Sequence, residues 1–451
     1  MKRSFRIALI AALCCSLAGC STPSSNGEKA AEPEKKQITI NVACPPMTMA
    51  YDEDHPDAEV LDLLQEAGEK FSATYDKADV TFNFAKYQYV DEKEQVSDKI
   101  GTSEGPDVVI GGSFNMPTYI AEGKAVALDD VIDDALRADI DDAIWDMCKE
   151  SGKTYILPFF SLQNTFMVNA DLMRAAGLDE YIPQDGAVAH WSIDEFNAIL
   201  TALKASMTEG GSFPLAFYAA DNQGDTHTMT LLCAYGKTPF DEDGHFNLSA
   251  AEGIEALTWI AELNEQGIIP KGAENIDFLS NIKLFNNGQI AICPANLANY
   301  RVAIEEYNLD VFPANFPNPD GNGIATSYLN GFSVLDNGDP DKASVAKDFI
   351  RFIFSDDELM RYSTGGIPAS ESYVEKRSED IPFLDMYSAN AENTVNIPGN
   401  TLNWNGVRSA FYLNIQDLLR GTKTPEEVAA AIDESCNAAI DEGRALIESE
   451  H

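Results

Sequence analysis

The sequence is poor in basic residues and lacks the motifs of several large enzyme classes. Its 451 residues contain 31 Lys and Arg against 73 Asp and Glu, a formal net charge of −42. A surface this acidic repels phosphate backbones, so we expect no nucleic-acid partner. The chain has no P-loop, no His-Glu-x-x-His motif and no complete dinucleotide fingerprint. We therefore predict a protein that is not an enzyme and that needs no cofactor.

Metal sites and a disulfide framework are not predicted either. The five histidines share no metal-ligand spacing, and the cysteines form no Cys-x-x-Cys pair. Five cysteines follow residue 20, an odd and scattered set: Cys44, Cys148, Cys233, Cys293 and Cys436. We interpret these five as small buried residues of the core, and whether any of them pair stays open.

No apolar run approaches the roughly 20 residues that a transmembrane helix needs, but the first 20 residues have the features of a secretory signal. A basic start is followed by an apolar stretch over residues 7–17, and Ala18 and Gly19 then precede Cys20. We predict that residues 1–19 are a lipoprotein signal peptide and that acyl chains such as palmitate anchor Cys20 to the cell membrane, on its extracytoplasmic face. An ordinary signal peptide is the alternative. Polar residues 20–37 would form a flexible tether.

Strand and helix signals alternate beyond the tether. Residues 38–44, 80–85 and 107–110 are β-rich, whereas a 3.6-residue apolar periodicity begins at Val60. Further helix starts are predicted where a hydroxyl is followed three residues later by glutamate, at Ser192, Ser249 and Thr424. This alternation predicts an α/β fold with largely parallel sheets covered by helices.

A series of short motifs runs through residues 38–448. They include Gly105-Pro-Asp-Val-Val109, Tyr119-x-x-x-Gly123, Gly152-Lys-x-Tyr-x-x-Pro158, Trp191-Ser-x-Asp-Glu-Phe196, Phe285-x-x-Gly288, Asn330-Gly331-Phe-Ser-Val334, Gly365-Gly-Ile-Pro368 and Gly421-x-x-x-Pro425-Glu-Glu. In this order the motifs resemble the extracellular solute-binding proteins of family 1, the sugar-binding subunits of ABC importers.

The resemblance implies a two-lobed, periplasmic-binding-protein-like (type II) α/β fold with a ligand cleft between the lobes. It assigns residues 38–158 plus 333–375 to lobe 1 and residues 163–328 plus 382–451 to lobe 2. Hinges are then expected in the short segments between these ranges.

The function implied is that of a monomeric lipoprotein that captures a carbohydrate, such as an oligosaccharide, and delivers it to an ABC permease in the cytoplasmic membrane. Two alternatives stay open. The acidic loop that contains Asp52 would suit a polyamine, a peptide or another cationic solute, and a lipid-anchored glycoside hydrolase is a further possibility.

A sugar site needs aromatic platforms and polar side chains at the rim, and these guide the choice of candidate residues. Trp191 and Trp259 are explained by helix packing, and Trp145 is interpreted as structural too. Trp404, beside Asn403, resembles the aromatic residue of the family that stacks on sugar, although packing within its own loop is the alternative. Loops at the predicted cleft supply the other candidates: Tyr51, Asp52, Phe114, Asn115, Phe160, Asn164, Asp221, Asn222, Asn296 and Tyr300.

Overall fold

The computed structural model describes residues 35–49, 51, 54–55, 58–88, 91–184, 186–220, 225–236, 238–399 and 401–450. The predicted signal peptide, Cys20 and most of the predicted tether lie outside these residues. Among the described residues, none of the helices combines the length and apolarity needed to cross a bilayer.

Strands and helices alternate along the described chain, as predicted. The strands are β1 Gln37–Cys44, β2 Asp79–Lys86, β3 Val108–Gly112, β4 Ala125–Val126, β5 Lys149–Glu150, β6 Lys153–Thr154, β7 Leu157–Asn169, β8 Phe213–Leu215, β9 Ile290–Ala295, β10 Val311–Ala314, β11 Ala325–Leu335, β12 Ile367–Pro368 and β13 Thr394–Val395. The helices are α1 Val60–Thr74, α2 Glu92–Gln95, α3 Met116–Ala121, α4 Asp134–Ala138, α5 Asp142–Met147, α6 Ala170–Ala175, α7 Ile193–Ser206, α8 Asp225–Leu231, α9 Ala251–Glu265, α10 Phe278–Asn286, α11 Leu297–Glu305, α12 Pro340–Ile353, α13 Asp357–Met360, α14 Glu371–Arg377, α15 Leu384–Ala389, α16 Trp404–Leu419 and α17 Pro425–Glu450.

One continuous sheet runs through the molecule in the strand order β2-β1-β3-β11-β7-β9-β8. The pairs β1 with β2, β1 with β3, and β8 with β9 are parallel, but β11 and β7 run antiparallel to the strands beside them in this order. The prediction of largely parallel sheets is therefore wrong in the centre of the molecule. The chain passes through β7 and returns through β11, and this reversal forces antiparallel pairing there.

Local sequence signals explain most helix starts. The capping boxes at Ser192 and Thr424 are formed, since the glutamate three residues on accepts a hydrogen bond from the backbone N–H of the capping residue. Trp191 is buried and lies parallel to the ring of Phe196, with 6.1 Å between ring centroids, as a hydrophobic staple requires. The box predicted at Ser249 is wrong, because α9 is capped by Ala250 without a side-chain bond.

Buried apolar side chains form three clusters that β7 divides. The first cluster contains β1 to β3, the start of β7 up to Leu162, the end of β11 and α12. The second contains the buried side chains of α7, α9, α16 and α17, and the third contains buried side chains of α10, β9 and α11. Both of these take up β7 from Phe166 onward. Within β7, the side chains up to Leu162 therefore belong to the first cluster, and those from Phe166 onward belong to the other two.

The cysteine prediction is confirmed for all five residues that follow Cys20 in the sequence. Each one is buried and none forms a disulfide. Burial raises the pKa of the Cys436 thiol to about 12, so this side chain behaves as a small apolar group at neutral pH.

The Gly-Pro-Asp motif has a structural role in the first cluster. The Asp107 carboxylate is 1% exposed and accepts hydrogen bonds from the Asn41 N–H at 2.8 Å and the Asn337 amide at 3.0 Å. The Lys342 ammonium of α12 lies 3.2 Å from the same carboxylate. A Cβ at Gly105 would meet the Lys99 carbonyl oxygen at 2.3 Å, so only glycine fits there. The motif therefore joins β1, the loop after β11 and α12.

A buried network of amides joins the segment after α15 to β7. Asn390 and Asn315 donate to each other's carbonyl oxygens, both at 2.9 Å. Asn390 also donates to the Gln163 carbonyl oxygen at 2.9 Å, and the Gln163 amide nitrogen donates to the Tyr387 carbonyl at 3.3 Å. Each of these amides is buried, so the mutual bonds offset the cost of removing them from water.

Candidate functional site

A cavity opens where the three clusters meet. It encloses about 880 Å³ of empty space including its open mouth, which is within the range of small-molecule sites. The lining comes from loops after β1 and β3, from the crossing strands β7 and β11, and from α8, α10, α11 and α16. The lining residues are Pro46, Met47, Thr48, Gly112, Phe114, Leu162, Asn164, Thr226, His227, Phe278, Leu279, Asn296, Ala298, Asn299, Tyr328, Asn330 and Arg408.

Phe114 reaches the cavity because β3 ends in glycine. A Cβ at Gly112 would lie 2.3 Å from the Phe114 ring, so the ring can fold back over this position only when the side chain is absent. The Arg408 guanidinium of α16 lies 5.2 Å from the centroid of the same ring, which is a cation–π distance. The guanidinium therefore lies over one face of the Phe114 ring, and both side chains line the cavity.

The N-termini of α10 and α11 form the opposite wall. Asp277 caps α10 by accepting from the Ser280 N–H at 2.7 Å, and this places Phe278 and Leu279 at the cavity. At the start of α11, the Asn299 side chain accepts from the Asn296 N–H at 3.1 Å. Leu279 is 57% exposed, an unusual degree for a leucine, and we place it at the mouth.

His227 contributes a neutral ring. Its Nδ1 is hydrogen-bonded to the Tyr218 hydroxyl, and its side chain is 5% exposed. Burial lowers the pKa of His227 to about 3, so the imidazole carries no charge near neutral pH. The ring therefore serves as a polar and aromatic surface and not as a cation.

The crossing strands supply the cavity floor. Tyr328 and Asn330 of β11 share one face because they are two residues apart, and Asn164 lies opposite Thr326 in the ladder with β7. The Asn164 amide donates a long bond of 3.4 Å to the Thr326 carbonyl. Asn330 is 0% exposed, and within the described part of the chain neither its amide nitrogen nor its carbonyl oxygen has a hydrogen-bond partner.

A carboxylate from α2 lies behind the Arg408 wall. Glu92 is 3% exposed and accepts from the Asn405 amide at 2.5 Å. Burial raises the pKa of Glu92 to about 7, and the positive charge of Arg408 partly opposes this rise. Glu92 does not line the cavity. The described lining contains amides, hydroxyls, aromatic rings and one arginine, but no carboxylate.

The structure brings three of the predicted site residues together. Phe114, Asn164 and Asn296 all line the cavity, although they lie far apart in the sequence. Asp52, Asp221 and Asn222 lie outside the described residues, as does Cys20. Ligand contact by these six residues stays a prediction, and so does the lipidation of Cys20.

Trp404 does not line the cavity. It begins α16 and is 0% exposed within the second cluster, a location that favours the alternative of packing within the protein. The neighbouring Asn403 has a positive φ of 53°, and its amide donates to the Ala439 carbonyl at 3.1 Å. Asn403 thus supports the contact with α17, and ligand contact by either residue stays a prediction.

The other four candidates are placed away from the cavity. Phe160 is 1% exposed and packs against Phe159 in the first cluster. Tyr300 is 0% exposed and donates to the Phe166 carbonyl at 2.7 Å. Tyr51 is stacked on His55, with 4.6 Å between centroids, and Asn115 lines a smaller cavity beside β3.

Sequence reasoning missed several lining residues. His227, Phe278, Tyr328, Asn330 and Arg408 were not among its candidates. The alternation of Tyr328 and Asn330 before a glycine, within a predicted crossing segment, was a usable signal for the floor. Arg408 lies four residues after Trp404, one turn further along the helix from which a candidate was chosen.

Comparison with known proteins identifies the family of this chain. The sequence profile of the bacterial extracellular solute-binding proteins matches residues 57–360. A binding protein of Brucella abortus is 21% identical over 314 residues, which cover 69% of this chain and 72% of the relative.

Two solved structures share the fold. An ABC substrate-binding protein of Listeria monocytogenes in complex with cycloalternan has a TM-score of 0.70 and 17% identity, covering 90% of this chain and 99% of its own. MalE3 of T. maritima, solved with maltose bound, has a TM-score of 0.72 and 15% identity, covering 89% and 99%. The predicted two-lobed, periplasmic-binding-protein-like fold is thereby confirmed. The profile match spans more than half of the sequence, and the chain therefore belongs to the bacterial extracellular solute-binding proteins.

Proposed function

We propose that the protein captures a neutral carbohydrate, such as an oligosaccharide, between its two lobes and delivers it to an ABC permease. The composition of the cavity wall carries this proposal. Asn164, Asn296 and Asn299 offer donors and acceptors for hydroxyls, and Phe114 and Phe278 offer apolar faces for a sugar ring. The structural neighbours solved with cycloalternan and maltose support the same substrate class.

The lining argues against a cationic solute. A polyamine or a basic peptide needs buried carboxylates, whereas the described lining contributes only the positive charge of Arg408. No described group on the wall is arranged as the carboxylate pair of a glycosidase, and the family consists of binding proteins. We therefore propose a monomeric binding protein without catalytic activity.

The two lobes would close by bending at the crossing strands. We propose that residues 38–158 plus 333–375 form lobe 1 and that residues 163–328 plus 382–451 form lobe 2. The clusters support this division, because the first ends at Leu162 of β7 and the others begin at Phe166 and Met167. A ligand that contacts both lobes stabilises the closed arrangement, since only that arrangement completes its contacts.

Calorimetry on the purified protein tests the substrate class. We expect binding of at least one of maltotriose, cycloalternan and a chitin oligosaccharide, with an affinity that salt hardly changes because the ligand is neutral. At saturation the radius of gyration from solution scattering should fall as the lobes close. Binding of spermidine instead, weakening steeply with salt, would contradict the proposal and favour the cationic alternative.

We also propose that the protein is a lipoprotein anchored through Cys20. Cys20→Ser should abolish incorporation of labelled palmitate in the producing bacterium, because Cys20 is the cysteine directly after Ala18-Gly19, where the signal peptide is predicted to be cleaved. The matched control is Cys15→Ser, which removes a neighbouring thiol of the signal segment and should leave labelling unchanged. Labelled Cys20→Ser protein would show that the anchor is elsewhere.

A further inference from the structure

Several buried amides of the described chain have an unpartnered oxygen, among them Asn281 and Asn286, but Asn330 is unpartnered at both its oxygen and its nitrogen. Asn315 and Asn390 satisfy each other by two reciprocal bonds of 2.9 Å. Asn330 is equally buried, at 0% exposed, yet neither polar atom of its side chain has a hydrogen-bond partner within the described part of the chain. A buried amide in this state destabilises the fold, because it has lost its hydrogen bonds to water without replacing them.

The backbone around Asn330 aims this side chain at the cavity. In the ladder between β11 and β7, Asn330 pairs with Phe160 but Gly331 pairs with Pro158, so a β-bulge lies at this point. Bulges turn a side chain away from the regular direction and are frequent beside binding sites. On the other side, Asn330 pairs with Gly112 of β3, and the ring of Phe114, which lines the cavity, lies over this glycine. The amide therefore lines the floor of the cavity.

The chemistry of an amide restricts what can satisfy it. The Asn330 side chain offers both an acceptor oxygen and an N–H donor, in one plane. A ligand ammonium group could satisfy only the oxygen, and a ligand carboxylate could satisfy only the N–H. Two neighbouring hydroxyls of a sugar ring can do both, since one hydroxyl donates while the other accepts.

We infer that Asn330 is a specificity-determining residue that binds a pair of adjacent hydroxyls of the ligand and so couples ligand binding to lobe closure. This inference rests on the proposed function, and it adds the residue and the ligand group that are recognised. The described protein groups around Asn330 offer its amide no hydrogen-bond partners. When a sugar is present, its hydroxyls supply them, so closure is favoured only around the correct ligand.

Two variants separate this role from a structural one. Asn330→Leu keeps the branched shape but removes both polar atoms, so the ligand-free melting temperature should rise by about 1 to 3 °C. For the sugar that the wild type binds most tightly, the dissociation constant of this variant should be about 10- to 100-fold higher. The control Asn315→Leu removes an amide whose nitrogen and oxygen are both bonded, and it takes from Asn390 both of the bonds that these two residues share. It should lower the melting temperature and leave sugar affinity within about twofold.

Monodeoxy forms of that sugar identify the hydroxyls. At least one form should bind the wild type more weakly than the parent sugar does, and this difference should vanish in Asn330→Leu, because the two changes remove the same interaction. A permanently bound water beneath the cavity would give a different pattern. In that case Asn330→Leu would lower the ligand-free melting temperature, leave affinity intact and overturn the inference.

The two proposals can fail separately. Wild-type protein that binds none of the sugars contradicts the proposed function, whatever Asn330 does. If the wild type binds a sugar and Asn330→Leu binds it equally tightly, only the inference is contradicted. If no sugar binds, the melting temperatures of the ligand-free variants still decide whether the Asn330 amide is without partners, and a fall in Asn330→Leu overturns the inference.

Discussion

Trp404→Ala is expected to lower the free energy of unfolding of the ligand-free protein by about 3 to 5 kcal/mol. The indole is 0% exposed at the start of α16, and its removal would leave a large cavity within the second cluster. Chemical denaturation of the protein without ligand measures the effect. Sugar affinity of the folded fraction should change by less than about threefold, since Trp404 does not line the cavity.

Leu413→Ala on the same helix is the control for this result. Leu413 is 65% exposed, so its truncation should change the free energy of unfolding by less than about 0.5 kcal/mol. The opposite pattern for Trp404→Ala, a large loss of sugar affinity with unchanged stability, would restore Trp404 as a stacking residue. Sequence reasoning favoured that role, and burial favours the structural one.

Asp107→Ala is expected to destabilise the first lobe by about 3 to 5 kcal/mol. The variant removes a buried carboxylate and leaves Lys342, Asn337 and the Asn41 N–H without their shared acceptor. Circular dichroism during denaturant titration provides the measurement, and a separate early transition would show that the first lobe unfolds before the second.

The exposed ion pair between Asp130 and Lys347 gives a matched control. Its distance of 2.7 Å is shorter than the 3.2 Å of the buried pair, but Asp130 is 67% exposed. Asp130→Ala should therefore cost less than about 1 kcal/mol. Equal effects of the two substitutions would mean that burial is not what makes Asp107 important.

Much of the fold was predictable because local signals and the order of motifs agree. The run at residues 38–44 and the periodicity from Val60 give β1 and α1 almost to the residue. Strand direction in the centre was not predictable from such signals. It depends on β7 and β11 passing in opposite directions between the same two lobes, and local sequence does not report this long-range fact.

The candidate site was predictable by segment and less so by residue. Phe114, Asn164 and Asn296 were expected at strand and helix ends, where side chains converge on a cleft, and all three line the cavity. Tyr300 and Phe160 were chosen by the same reasoning, but both point into the core. Which side of a strand or helix faces the cleft depends on packing against distant elements, and at Trp404 that packing is with the second cluster.

The amide network after α15 has a mechanical consequence. Its bonds are short and directional, and they fix Asn390 to Gln163, which lies in the middle of β7. A shift of the segment around Asn390 by one residue along β7 would break all of these bonds. The network therefore holds Asn390 and the middle of β7 together, so that the two move as one unit. If the proposed lobes move relative to each other, the bending would therefore fall on the residues of β7 that precede Gln163, and a substitution that stiffens these residues would restrict the movement.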